Sequence, residues 1–314
     1  MQDFNNRLKL ARESTWREFG KHITFYLPGG FTYGGLKGKY PAISITGSQC
    51  ALQCDHCQGK ILGGMIPATT PIPLIEKCRR LAAKGAQGVL ISGGCDEKGQ
   101  LPWDEVISAI GEVKRQTDLH ISIHCGLIDL KTALRLKEAG VDEALIDVIG
   151  DDQTCQDIYH LGFGVTRIKQ SLESLQEAGL PVVPHIVCGL YHGKMRGEKK
   201  AVEIISRFEV RQVVIVSLMG IPETPLWDTP PPKAEEVADI IAEARFKVPG
   251  VPISLGCARQ RGDVSLEILA IDAGVNRMAL PSEEAIEHAR NYGLELRYQR
   301  TCCSVSRDFS SEDW

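Results

Sequence analysis

The chain has 314 residues, 43% hydrophobic and 24% charged, with a net charge of -4, so it can bury a sizeable core as one large domain but offers no basic field for nucleic acid and no polybasic membrane patch. No apolar run reaches the roughly 18 to 20 residues of a membrane helix, and the start MQDFNNRLKLARES lacks a signal-peptide core, which reads as cytoplasmic. In such a compartment eleven cysteines argue for metal ligation or buried thiols over a disulfide framework.

In chain order, an amphipathic segment over roughly residues 3 to 20 leads into a Gly-rich passage from Leu27 to Gly38. A regular rhythm then begins. Short β-rich apolar runs near residues 42–46, 88–92, 120–125, 143–149, 182–188, 212–218, 252–256 and 276–280 predict eight strands, the count that closes a small parallel barrel. Helical stripes lie between them: Leu74, Cys78, Leu81 and Ala82; Val106, Ile110 and Val113; Ile168, Leu172 and Leu175; Val237, Ile240, Ile241 and Ala244. Gly85, Gly140, Gly179, Gly274 and Gly293 stand where a helix would end before the next strand. Pro281 to Glu284 reads as a capped, acidic helix start, and Thr229-Pro230-Pro231-Pro232 as a stiff lead-in to the sixth helix.

Alternating strands and helices with continuous apolar strands predict an α/β fold, a (β/α)8 TIM-type barrel over residues 41–293. Residues 1–40 form an N-terminal extension and 294–314 a C-terminal tail. A doubly wound open sheet is the competing architecture, but no GxGxxG follows the first strand. The tail beyond Arg300 is polar and is expected to be partly disordered, with Cys302-Cys303 arguing that its start is held down.

The stretch with the most chemistry is the loop after the first strand, which carries Cys50, Cys54 and Cys57. Three thiolates converging from so short a loop suit three corners of a 4Fe-4S cluster, leaving one iron without a protein ligand. An open metal position is where chemistry occurs. A zinc knuckle or redox pair is the bland alternative; zinc normally closes with a fourth ligand nearby, and His56, between Cys54 and Cys57, is poorly placed for that.

At these residues the sequence resembles the radical S-adenosylmethionine (SAM) enzymes, whose hallmark is this cysteine spacing with a ring-bearing residue before the last cysteine, here His56. The resemblance implies a 4Fe-4S cluster and SAM as cofactors, reductive cleavage of SAM to a 5'-deoxyadenosyl radical, and removal of hydrogen from an unactivated carbon. Ser92, Gly93 and Gly94 resemble the family's Gly-Gly motif for the methionine part of SAM; a plain strand-to-helix turn is the other reading. Gly189, after the fifth strand, sits where the family places backbone against adenine. Pro222, Thr224 and Pro225 resemble an element that flanks the ribose in the biotin synthase-like branch, with Glu223 in place of its glycine. Asp147 is readable either as a ribose ligand or as a satisfied interior polar residue.

Other cysteines stand at strand ends, and any one of Cys95, Cys125, Cys188 or Cys257 reads as a small buried hydrophobe. Vicinal cysteines in a polar tail fit that poorly, so Cys257, Cys302 and Cys303 are candidate ligands of a second iron-sulfur cluster, with Arg259 or Arg261 beside it. Over residues 40–290 the chain looks like the biotin and lipoyl synthase branch. Within it, the chain resembles paired lipoyl synthases, in which two related proteins each thiolate one carbon of a carrier-bound octanoyl chain. It lacks the extra N-terminal cysteine set and the closing Arg-Ser-Ser-Tyr of the single-protein enzyme, with Arg300-Thr301-Cys302-Cys303 in place of that ending. The implied partners are a lipoyl-carrier domain or other acylated protein, a homologous radical SAM protein, and an electron donor such as ferredoxin or flavodoxin. The alternatives are a radical SAM methyltransferase, mutase or cofactor-maturation enzyme without sulfur insertion, and a non-enzymatic iron-sulfur carrier, which needs no SAM pocket.

Overall fold

The computed structural model describes residues 2–311. All eight expected strands form, several of them shorter than their apolar runs: β2 (Ala42–Ser44), β4 (Gly88–Ser92), β5 (His120–His124), β6 (Glu143–Asp147), β7 (Val182–Cys188), β8 (Val213–Ser217), β9 (Ile253–Leu255) and β10 (Arg277–Ala279). Three more join them: β1 (His22–Tyr26), β3 (Ile66–Pro67) and β11 (Glu295–Gln299). The order is β11-β1-β10-β9-β8-β7-β6-β5-β4-β2-β3, and every pairing is parallel.

The expected α/β barrel fold forms as a curled sheet whose edge strands β11 and β3 do not pair with each other; β3 is two residues long and ends in a proline, which has no ladder donor. The segments assigned to an extension and a tail also each supply a strand. His22-Ile23-Thr24-Phe25-Tyr26 is rich in β-branched and aromatic residues, and Ile23, Phe25 and Tyr26 are fully buried. Thr24 stands opposite both Arg277 and Arg297.

Successive strand residues face opposite ways. One set, including Val89, Ile91, Ile121, Ile123, Ala144 and Ile146, joins the main core, where the helix Pro71–Ala83 buries Leu74 and Cys78, the helix Gly164–Glu177 buries Ile168, Leu172 and Leu175, and the helix Ala234–Lys247 buries Val237, Ile240, Ile241 and Ala244. Leu81 and Ala82 of the first stripe stay half-buried. The five predicted closing glycines all have positive φ, from 65° to 89°. The opposite faces supply a small second cluster, Leu145, Val183, Val214 and Val216, which lines the lumen of the curl. The helix Gln2–Phe19 packs against the outer helices through Arg7, paired with Asp239 at 2.7 Å and Glu243 at 2.5 Å. No helix of the described residues is long and apolar enough to cross a membrane.

Through Ser311 the tail is held in place, contrary to the partial disorder expected from its polar composition. Beyond β11 the chain turns into the lumen, where Cys302 O accepts from Val305 N at 3.0 Å, and Cys303, Ser304 and Val305 are 3%, 1% and 0% exposed. Lumen side chains satisfy its polar groups. Gln212 Nε2 donates to Cys303 O at 2.7 Å, and Tyr26 Oη and Arg277 donate to Val305 O at 3.2 and 3.0 Å. The Glu143 carboxylate accepts from Ser306 N and Oγ at 3.2 and 2.7 Å. A polar segment buries cheaply when each polar group finds a partner.

Candidate active site

The cysteine loop follows β2 at the C-terminal ends of the strands, where sites of α/β barrels lie. Bonds to three neighbouring loops pin it. Ala51 N donates to Cys95 O at 2.8 Å, Asp55 N to Ile158 O at 2.9 Å, and Leu226 N to Asp55 O at 3.3 Å. Gly94 backs directly onto it: a Cβ there would lie 1.9 Å from Gln49 O and 2.6 Å from Cys50 Cα. Only glycine permits so close an approach.

Cys54 and Cys57 are buried and Cys50 is half-buried. A hydrogen bond shared with Cys54 holds Cys57 well below the ordinary thiol range, with help from His56, while the same bond and burial push Cys54 up. The thiolate is the form that ligates metal. Among the described residues, no three Cys, His, Asp or Glu side chains converge tightly enough to share a single metal ion. Three thiols on one short loop suit a cluster, in which each sulfur takes its own iron.

Cys50, Cys54, Cys57, His56, Ser92, Gly93, Gly94 and Asp147 all line one cavity, as do His124 and Tyr159. The sequence alone does not single out His124 or Tyr159. The period-two rule that puts His120, Ser122 and His124 on one face of β5 is the signal that finds the first; nothing local marks the second. His56 Nδ1 and Tyr159 Oη are buried without a partner, and their rings lie 5.0 Å apart. Orphaned polar atoms in a cavity suit a polar ligand that would satisfy them. Burial alone would push Asp147 up, yet the imidazoles, chiefly His124 at 3.4 Å, bring it down to about 2. It stays ionised, so both of its oxygens act as acceptors for ligand hydroxyls.

The remaining predicted residues lie off this wall. Gly189 has φ +74° and packs so closely on Pro232 that a Cβ would sit 2.4 Å from its ring; its N–H donates to Glu198 at 2.9 Å. Pro222, Thr224 and Pro225 belong to a loop that docks on the cysteine loop through Leu226 and through Lys60, paired with Glu223 at 2.6 Å. Thr224 is buried with its hydroxyl on Ile221 O at 2.8 Å. Glu223 has φ +60°, so the glutamate keeps the left-handed conformation that glycine favours.

A second thiol set lies across the lumen. Cys303 is within hydrogen-bonding reach of both Cys257 and Cys302, and the three pack with Tyr26 and Ala279. Bonds to Cys303 hold Cys257 and Cys302 down and push Cys303 up. A line of polar contacts leads from here to the first cavity: Cys302 Sγ to Ser304 Oγ at 3.4 Å, Ser304 Oγ to His185 Nε2 at 3.1 Å, and the His185 and His124 rings 5.8 Å apart, with His124 on Asp147.

Of the two arginines, Arg259 is fully buried and fastens the region, donating to Gly256 O at 2.7 Å, Ala279 O at 2.8 Å and Glu267 at 2.5 Å. Arg261 donates to Cys257 O at 2.7 Å and lies over the Phe31 ring at 5.1 Å. Cys125 and Cys188 are fully buried in the main core, as the bland reading has it, whereas Cys95 lines the first cavity.

The Radical SAM superfamily model matches residues 44–199. The biotin synthase of Pelotomaculum thermopropionicum is 23% identical over 248 residues, 75% of this chain and 74% of that protein. That of Leptothrix cholodnii is 24% identical over 246 residues, 74% and 69% of the two chains. In fold the chain is similar to methylornithine synthase, with a TM-score of 0.63 and 18% identity over 90% of this chain and 79% of that one. It is also similar to the FeFe-hydrogenase maturase HydG from Carboxydothermus hydrogenoformans, with a TM-score of 0.65 and 14% identity over 94% and 72%. A thiol loop at the mouth of a curled parallel sheet agrees with the family match and the relatives: the chain belongs to the radical SAM superfamily, in its biotin synthase-like branch, with a 4Fe-4S cluster and SAM as cofactors.

Proposed function

We propose that this protein inserts sulfur at an unactivated carbon of an alkyl chain, as in lipoate biosynthesis on a carrier-bound octanoyl group. The observation that carries the reading is the second thiol set, Cys257, Cys302 and Cys303, inside the same lumen as the cysteine loop and joined to it by His124 and His185. Sulfur insertion needs a sulfur source within reach of the carbon from which hydrogen is removed, and methyl transfer or rearrangement does not.

Cys50, Cys54 and Cys57 hold the 4Fe-4S cluster, and Cys257, Cys302 and Cys303 hold a second iron-sulfur cluster. The first, when bound, supplies the electron that cleaves SAM into methionine and the 5'-deoxyadenosyl radical that removes hydrogen from carbon. Ser92, Gly93 and Gly94 face the methionine part of SAM, and the Asp147 carboxylate accepts from its ribose hydroxyls. Leu52, Leu101, Leu127, Ile149 and Leu161 give the cavity an apolar wall, which suits an alkyl chain and excludes water from the reacting carbon.

The partners that go with this reading are a lipoyl-carrier domain or other acylated protein, a homologous radical SAM protein for the other carbon, and ferredoxin or flavodoxin as electron donor, in the cytoplasm. Mass spectrometry of an octanoylated carrier domain after anaerobic turnover, with and without this protein, is the test. A gain of sulfur mass is expected only when the protein is present. Formation of 5'-deoxyadenosine with no gain would turn the assignment toward a methyltransferase, mutase or maturation enzyme, and no 5'-deoxyadenosine at all toward an electron carrier.

A further inference from the structure

Tyr159 follows the short helix Asp152–Asp157 and lines the cavity behind the cysteine loop. Its neighbours fix the backbone on both sides. Ile158 O accepts from Asp55 N at 2.9 Å, His160 Nε2 lies 2.9 Å from Asp55 Oδ1, and Leu161 N donates to Cys155 O at 3.0 Å. The ring packs beside His56, with centroids 5.0 Å apart and planes tilted by 47°. None of these contacts uses the hydroxyl.

Tyr159 is 8% exposed, and its Oη has no hydrogen-bond partner among the described residues. The arginine nitrogens in the same state, such as Arg245 Nε and Arg259 Nε, belong to guanidinium groups bonded through their other nitrogens. Tyr159 has one polar side-chain atom and no such second point. A phenol keeps its proton at neutral pH, so Oη is a donor without an acceptor. Burying it unpaired is costly, and phenylalanine would fill the same space without that cost.

The acceptor must therefore arrive with a ligand. An alkyl chain has none. A ribose hydroxyl both donates and accepts, and the adenine ring nitrogens accept. Asp147 lines the same cavity and supplies only acceptors, so a nucleoside placed there can donate to Asp147 and accept from Tyr159.

We propose that the Tyr159 hydroxyl is a further SAM-binding group, donating to the nucleoside half, and that its unpaired burial in the free protein is relieved when SAM binds. The inference rests on SAM as cofactor and is independent of the sulfur-insertion reading, so the two fail separately.

The test compares anaerobically reconstituted full-length wild type with Tyr159→Phe, which keeps the ring and its packing. Affinity for SAM, read by equilibrium dialysis and by the SAM concentration that changes the electron paramagnetic resonance spectrum of the reduced cluster, is expected to fall about 10- to 100-fold. Binding of 5'-deoxyadenosine, which carries the nucleoside alone, weakens in parallel. Iron content and the spectrum without SAM stay at wild type. Without SAM the variant unfolds at a higher denaturant concentration than the wild type, the reverse of what loss of a structural hydrogen bond does. Wild-type affinity for SAM in Tyr159→Phe would overturn the inference. So would an unfolding midpoint no higher than that of the wild type, because the hydroxyl would then have a partner in the free protein.

Discussion

Cys50, Cys54 and Cys57 lie on one loop, whereas Cys257 and the pair Cys302-Cys303 lie far apart in sequence and meet only because a turn is drawn into the lumen. The first set owes its geometry to the loop and the three segments bonded to it. The second owes its geometry to lumen side chains, among them Tyr26, Glu143, His185, Gln212 and Arg277. A site of the first kind is broken by changes at the loop and is robust to changes elsewhere. A site of the second kind is exposed to substitutions across the whole sheet.

The largest contrast comes from Cys57→Ser. It removes one of the three thiols of the cysteine loop, so anaerobic 5'-deoxyadenosine formation with SAM and dithionite should fall to background. Iron at the second set should remain, and its loss would mean that the two sets are one unit. Gly94→Ala sharpens the comparison without touching a thiol. The added Cβ meets backbone 1.9 Å away, so the cysteine loop must shift, and the absorbance of the first cluster should drop while the second set stays intact.

Next in size is Arg259→Ala, which leaves Glu267 buried without its partner. Breaking one side of such a pair costs about 3 to 5 kcal/mol, and denaturant titration should show it. Because Arg259 also tethers Gly256 O beside Cys257, iron should be lost from the second set alone.

The smallest effect is one of pH. Burial pushes Glu143 up to about 7, so its contribution to stability is complete below the ordinary carboxylate range and is lost as pH rises through about 7. Burial pushes His185 down to about 4, so its contribution is present above the ordinary imidazole range and is lost as pH falls toward 4. The two oppose each other. Glu143→Gln removes the first, and the variant should gain on the wild type by on the order of 3 kcal/mol between pH 5 and pH 8. A difference that does not change with pH would show that the carboxylate titrates normally.

The same contrast explains what the sequence made legible. The eight strands and their closing glycines follow from local pattern, and the cysteine loop from spacing. The strand His22–Tyr26 was hidden because a helix precedes it and a Gly-rich passage follows, so no strand–helix rhythm flags it. Glu295–Gln299 was hidden by its charges, which an edge strand tolerates on its open side. The tail reads as polar and loose because its partners, such as Glu143 for Ser306, stand far away in sequence. Spacing likewise says nothing of Asp147 meeting His124, or of Cys257 meeting Cys303. Those contacts belong to the curl of the sheet.

The central claim is that one lumen holds two separate thiol sites, and Mössbauer spectroscopy of anaerobically reconstituted wild type and Cys302→Ser/Cys303→Ser tests it most directly. The account predicts two iron-sulfur signals in the wild type and, in the double variant, only the one assigned to the cysteine loop, with SAM cleavage intact. Identical spectra from the two proteins would contradict it.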